Sequence, residues 1–294
     1  MDRIKVKASA TSANLGAGFD VLGLALDKPY DIIEVEPAEV LSIRIKGKGA
    51  GSIPLRPEKN TAGLVALAMG KNVRITIHSM IRPSSGLGSS AAPAAGAAFA
   101  INELFSMGFS REELVPIAAK GEVAAAGVEH SDNVGPCIMG GLTIVNGTRV
   151  ESLEMPDIGI VAILPDIEVN TKAAREMLPP SVPLKELVQN VGKACMLVAG
   201  ASMKNPEMIG SALSDTFNEK YRSPLIKGYD DVKAGAIEQG AYGVAISGSG
   251  PTMIALCPSQ CSVAIAGRMA KEFASHGIPC ESFLTRVGRG VEII

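Results

Sequence analysis

The segment Ser84-Ser85-Gly86-Leu87-Gly88-Ser89-Ser90-Ala91-Ala92 holds the residue types best suited to chemistry in this chain. It follows an alternating run that ends near His78 and precedes a helical pattern. Its two glycines permit backbone conformations closed to other residues and let the chain approach a ligand closely. A helix start behind them offers unpaired N–H groups and the positive end of a dipole, a ready site for an anion. The hydroxyls of Ser89 and Ser90 can touch a phosphate oxygen or a magnesium ion. Together these features describe a phosphate cradle. The Walker loop would need GxxxxGK[ST], and the dinucleotide fingerprint a third glycine three residues on; neither is present. For an isolated GxG a small-residue helix cap is the plain alternative, and the paired serines and strand–turn–helix setting favour phosphate.

Two further glycine-rich segments follow strands. Ser12-Ala13-Asn14-Leu15-Gly16-Ala17-Gly18-Phe19-Asp20 comes after the first strand, and Ile246-Ser247-Gly248-Ser249-Gly250-Pro251 lies between two late ones, where a hairpin turn would also serve.

The elements that must position these segments are legible from periodicity. Ile4/Val6/Ala8, Ile32 to Val35, Leu41/Ile43/Ile45 and Val73/Ile75/Ile77 alternate as strands do. A helix is predicted from about Ser90 to Phe105. Ser110 with Glu113 three residues on forms a capping-box pattern that opens a second helix to about Ala126. Strand pattern returns between Gly140 and Ser152, closing a first domain over residues 1–155. Ile158 to Leu164 is an unbroken apolar run, as for a strand covered on both faces. Helical segments follow at Thr171 to Leu178, Leu184 to Ala199, Pro206 to Leu213 and about Leu225 to Gln239. Strands at Tyr242 to Ser247 and Thr252 to Cys257, a helix from about Ser262 to His276 and a last strand complete a second domain, 156–294. Strands and helices mixed in both halves predict an α+β protein of two packed domains.

Composition excludes several functions. The 294 residues carry 28 Lys+Arg against 30 Asp+Glu, a net charge of −2, so no basic surface for nucleic acid is expected. With 7 Phe, 4 Tyr and no Trp, a reader that stacks single-stranded bases is also disfavoured. No apolar window approaches a membrane span. The opening Met1-Asp2-Arg3-Ile4-Lys5-Val6-Lys7 lacks the apolar core of a signal peptide, so a cytoplasmic location is expected. Five cysteines, odd in number and without CxxC spacing, are expected to be reduced structural thiols.

The three glycine-rich segments, in their order and spacing, resemble the three motifs of the GHMP superfamily of small-molecule kinases. The middle one resembles that superfamily's nucleotide loop, PxxxGLGSSA, except that Arg82 stands where the proline is usual, with Pro83 just after it. The resemblance implies a ribosomal-protein-S5-domain-2-like first domain, a ferredoxin-like second domain and MgATP as the phosphoryl donor. It assigns the nucleotide to Arg82, Pro83, Ser84, Ser85, Gly86, Leu87, Gly88, Ser89, Ser90, Ala91 and Ala92, with Asn60 near the adenine. Ser90 and Glu122 match the magnesium ligands, a hydroxyl and a carboxylate that suit this ion. Taken alone, Glu122 would read as a solvent-facing helical acid and Asn60 as a helix cap.

Within the superfamily the segments Glu129 to Val134, Asn170 to Pro179 and Val287 to Glu292 resemble the branch that phosphorylates homoserine in threonine biosynthesis, archaeal type. That implies Arg175 and Arg222 on the substrate carboxylate, where arginine's fork suits a bidentate pair. Asn14, Asp20, His130 and Asn133 then hold the amino and hydroxyl ends. Singly, Asp20 would read as a turn acid, each arginine as a solvated charge and His130 as a satisfied loop histidine. Asn133 stands where mevalonate kinases place an aspartate base, and Asp132 beside it is expected to point elsewhere. No dedicated side-chain base is therefore expected. Other small-alcohol kinases (mevalonate, phosphomevalonate, shikimate) and a nucleotide- and metabolite-binding sensor without turnover are the alternatives. By analogy with the superfamily, a homodimer is expected.

Overall fold

The computed structural model describes residues 2–126, 130–215 and 217–294. In chain order the first part comprises β1 (Ile4–Ala13), β2 (Leu22–Pro37), β3 (Ser42–Gly47), α1 (Thr61–Ala68), β4 (Val73–Ser79), α2 (Ala91–Leu104), α3 (Arg111–Ala126), α4 (Val134–Met139), β5 (Leu142–Asn146) and β6 (Arg149–Leu153). The second part comprises β7 (Gly159–Pro165), α5 (Thr171–Glu176), α6 (Leu184–Ser202), α7 (Pro206–Ala212), α8 (Asn218–Arg222), α9 (Tyr229–Glu238), β8 (Gly243–Ile246), β9 (Met253–Cys257), α10 (Ser262–Ser275), β10 (Cys280–Thr285) and β11 (Glu292–Ile293).

The larger sheet runs β11-β1-β2-β4-β3, and the β5–β6 hairpin joins it through β2. Only β3 and β4 are parallel; the other pairs are antiparallel. Register aligns Val6, Ile33, Ile77 and Ile45 across four strands, and the first three are fully buried. On this row lies α2. A Cβ at Gly96 would meet Ile33 Cγ1 at 2.5 Å, so only a small-residue helix can sit this low. The helix is also packed against α1, α3 and α4. Its alanine-rich sequence thus reflects burial on all sides rather than one apolar face. Ser110 and Glu113 form a reciprocal capping box at the start of α3.

The smaller sheet runs β10-β7-β9-β8, antiparallel throughout. Numbered in chain order its strands lie 4-1-3-2, the ferredoxin-like arrangement. Every residue of β7 is buried. Ile160 and Ala162 join the large core shared with the first domain, while Val161 and Ile163 join a second core under α9 and α10. Being covered on both faces, this antiparallel strand reads as an unbroken apolar run.

Several elements lack a clear local signal. Short α1, α4 and α8 escape periodicity, and β2 runs 16 residues where only Ile32 to Val35 alternates clearly. The closing β11 pairs with β1, Val6 opposite Ile293, so the chain returns to the first sheet after crossing the second domain. No helix among the described residues is long and apolar enough to cross a membrane.

Candidate active site

Between the two domains lies a cleft of about 320 Å³, within the usual range for small-molecule sites. Its walls come from the loop after β1, the loop before α2, the inner face of α3, the start of α4, and Arg175 of α5 and Arg222 of α8. The β8–β9 turn closes the floor.

The three glycine-rich segments are interlocked. Thr11 N–H donates to the Leu87 carbonyl at 3.1 Å, and Gly248 N–H to the Ala13 carbonyl at 3.1 Å. Ser247 Oγ donates to the Gly86 carbonyl at 2.7 Å, and Thr252 Oγ1 to the Ser85 carbonyl at 2.6 Å. Gly86 and Gly88 have φ of +79° and +67°. Their missing side chains would strike protein rather than ligand. A Cβ on Gly86 would lie 2.5 Å from the Ser247 carbonyl oxygen, and one on Gly88 2.1 Å from Thr11 Oγ1. Close approach between protein segments is thus the reason for glycine here, where the sequence suggests approach to a ligand.

Of the loop residues, Pro83, Ser84, Gly86, Gly88, Ser89 and Ser90 line the cleft, as does Asn60. Arg82 does not; its guanidinium pairs with Asp166 of the second domain at 2.8 Å. Leu87, Ala91 and Ala92 are core, and Ser85 is buried with its Oγ accepting from Leu87 N–H. Asn60 caps α1, accepting from Ala62 and Gly63 N–H and donating to the Pro54 carbonyl.

Ser90 starts α2 without capping it, and its Oγ donates instead to Glu122 Oε2 at 2.9 Å. Glu122 is only 4 % exposed, and its Oε1 is buried with no protein partner. Burial pushes its carboxyl up to about 7, and the nearby Asp132 adds to this. A buried carboxylate with one free oxygen beside a hydroxyl has the donor set of a magnesium site.

Across the cleft, Asn14 Nδ2 donates to the Gly248 carbonyl, and Asn14 Oδ1 accepts from Asp20 N–H. This folds the loop back on itself, with Asn14, Leu15 and Asp20 at positive φ. Asp20 receives Arg175 at two points, Nη2 to Oδ2 at 2.5 Å and Nη1 to Oδ1 at 3.4 Å. His130 Nε2 lies 3.5 Å from the same Nη1, and burial, with Arg175 beside it, holds its pKa below the ordinary value. Arg222 is 5 % exposed and donates to the Gly248 carbonyl at 3.1 Å, leaving Nε buried without a partner. Asn133 opens α4, and its Oδ1 accepts from Thr11 Oγ1 at 2.8 Å. Glu129, which begins the matching sequence segment, lies outside the described residues.

Three residues in the cleft or directly behind it are not picked out by sequence. Phe19 stands between the two arginines, whose guanidinium carbons lie 5.5 Å (Arg175) and 5.2 Å (Arg222) from its ring centre. Thr11, a buried strand residue with no motif character, lies behind the wall and holds Asn133. Asp132, expected to point elsewhere, lines the cleft at 6 % exposure, a correction that follows from α4 starting at residue 134. Burial, reinforced by Asp20, pushes its carboxyl up to about 7.

The chain matches the family described as GHMP kinases N terminal domain over residues 58–141 and that described as GHMP kinases C terminal over residues 199–276. A homoserine kinase from Methanocella arvoryzae is 66 % identical over 294 residues, covering 100 % of this chain and 98 % of the relative. One from Haloarcula marismortui is 46 % identical over 290 residues, covering 99 % of each. The crystal structure of homoserine kinase from Cytophaga hutchinsonii superposes with a TM-score of 0.93 at 36 % identity, over 100 % of this chain and 98 % of that one.

Proposed function

The chain belongs to the GHMP kinase family, and on that premise we propose that it transfers the γ-phosphoryl group of ATP to the side-chain hydroxyl of L-homoserine. The products are O-phospho-L-homoserine and ADP, a step of threonine biosynthesis. The observation that carries this reading is full-length identity of 66 % to a homoserine kinase. The cleft supports it chemically. A helix start and the Ser90–Glu122 pair occupy one side, and a carboxylate and two guanidiniums the other.

In this reading Ser84 to Ser90 surround the phosphates, and the first-turn N–H groups of α2 face the negative charge. Ser90 and Glu122 are the residues that would hold Mg²⁺, whose contribution is to neutralise charge on the transferring phosphoryl group. Arg175 and Arg222 take the substrate carboxylate, and Asp20 its ammonium. His130, held neutral, hydrogen-bonds rather than repels that ammonium. Because Thr11 donates to Asn133 Oδ1, Asn133 Nδ2 is left to donate to the attacking hydroxyl oxygen. In a loose transition state the nucleophile carries little charge, so transfer proceeds by positioning and electrostatics without early removal of the hydroxyl proton.

The test is ATP consumption with homoserine, mevalonate and shikimate in parallel. Strong preference for homoserine is expected. Preference for either other alcohol overturns the substrate assignment, and binding without ADP release would indicate a sensor.

A further inference from the structure

Asp20 and Arg175 bind one another at two points. They are also the two groups to which the function proposed above, on which this inference rests, assigns the ammonium and carboxylate of the substrate. We propose that the Asp20–Arg175 pair is an internal counterpart of the substrate zwitterion, which homoserine displaces, so that the site selects ligands bearing both charges together.

The neighbours of each group make the selection two-sided. A ligand with a carboxylate alone would draw Arg175 away and leave Asp20 unpaired near Asp132, a buried carboxylate whose charge it already opposes. A ligand with an ammonium alone would leave Arg175 unpaired near Arg222, the other guanidinium held against Phe19. Only a ligand with both charges exchanges one ion pair for two and leaves no like charges facing each other. The geometry allows the exchange. Of the described side chains of α5, only Ala174 is buried, so the helix carrying Arg175 can shift without disrupting a core. Asp20 sits at a positive-φ turn held by Asn14, and its backbone position does not depend on Arg175. The pair is partly exposed, 44 % for the Arg175 side chain and 33 % for Asp20, so water and ligand reach it directly.

The test uses two truncated analogues: 4-hydroxybutyrate, which lacks the ammonium, and 3-aminopropan-1-ol, which lacks the carboxylate. Their binding is measured by calorimetry at pH 8.5 with the full-length protein. In Asp20→Asn, Arg175 is released, and 4-hydroxybutyrate should bind about fivefold more tightly than to wild type, while homoserine binds less tightly. In Arg175→Gln, 3-aminopropan-1-ol should gain by a similar factor. Asp132→Asn removes a nearby carboxylate that forms no ion pair with a guanidinium among the described residues, and it measures the general electrostatic gain, expected below about twofold. If neither analogue gains, or if Asp132→Asn gives 4-hydroxybutyrate the same gain as Asp20→Asn, the displacement is refuted. Wild-type turnover of homoserine is read separately. Its absence overturns the substrate reading, whereas turnover without the analogue gains overturns the displacement alone.

Discussion

Thr11 Oγ1, on the first strand, donates a 2.8 Å hydrogen bond to Asn133 Oδ1 at the start of α4, 122 residues later. The bond fixes which end of the amide faces the cleft. Thr11→Val keeps the shape and removes the donor. We expect kcat to fall about tenfold, the scale of one oriented hydrogen bond, with KM for ATP little changed. Steady-state kinetics over both substrates checks this; equal losses in both KM values would point to general distortion instead.

Glycine at residue 86 is a packing requirement. Gly86→Ala places a methyl 2.5 Å from the Ser247 carbonyl oxygen at φ +79°, whereas Gly51, at φ +84°, has open space around it. Gly51→Ala should therefore cost only the left-handed strain, about 1 kcal/mol, and Gly86→Ala about 3 kcal/mol or more. Denaturant melts of the two variants side by side give the difference.

Glu122, raised to about 7 from its ordinary 4.5, binds a proton in the folded state that it loses when unfolded. Asp132 behaves alike, and Asp31 and Asp215 are raised to about 6. Between about pH 4.5 and 7 the native state thus holds more protons than the unfolded one, and stability falls as pH rises. Without magnesium, Tm should drop from pH 5.5 to pH 8. Addition of MgATP should recover more of it at pH 8 than at pH 5.5, because the cation competes with the proton on Glu122. In Glu122→Gln that pH-dependent recovery should vanish; its persistence in a thermal-shift series would remove Glu122 from the proposed metal site.

Asp132, like Glu122, has a carboxyl raised to about 7, and it adjoins Asn133 in the cleft. Burial is the chief cause of that rise, with Asp20 adding to it, so the shift follows from desolvation and needs no catalytic role. Asp132→Asn should retain kcat within about tenfold of wild type. A general base would account for a loss of about 10² or more. A pH–rate profile of the variant separates the two.

Local signals in the sequence were strong where one residue acts on its near neighbours. Ser110 and Glu113 cap α3 reciprocally, and the alternation of Val73, Ile75 and Ile77 is a strand with one face in the core. The loop at residues 84–92 and the cleft beside it were legible because glycine and serine spacing is a local code. What stayed hidden depends on distant partners. The pairing of Val6 with Ile293 has no local trace, and neither has the contact of Gly86 with Ser247. Arg82 beside the loop looked suited to phosphate, yet Asp166 from the other domain holds it at the surface. Asp132 could not be placed without knowing where the short helix α4 begins.

The β8–β9 turn lies under the loop at residues 84–92 and ties the two halves of the chain together. The carbonyls of Ser85 and Gly86 are satisfied by Thr252 and Ser247, residues of the other domain. The first domain expressed alone would present that loop with two acceptors stripped of their partners, and the loop's curvature would relax. The grip on phosphate proposed for this loop is in this sense a joint property, transmitted through two hydroxyls. Anything that pries the domains apart would register first as weakened hold on nucleotide.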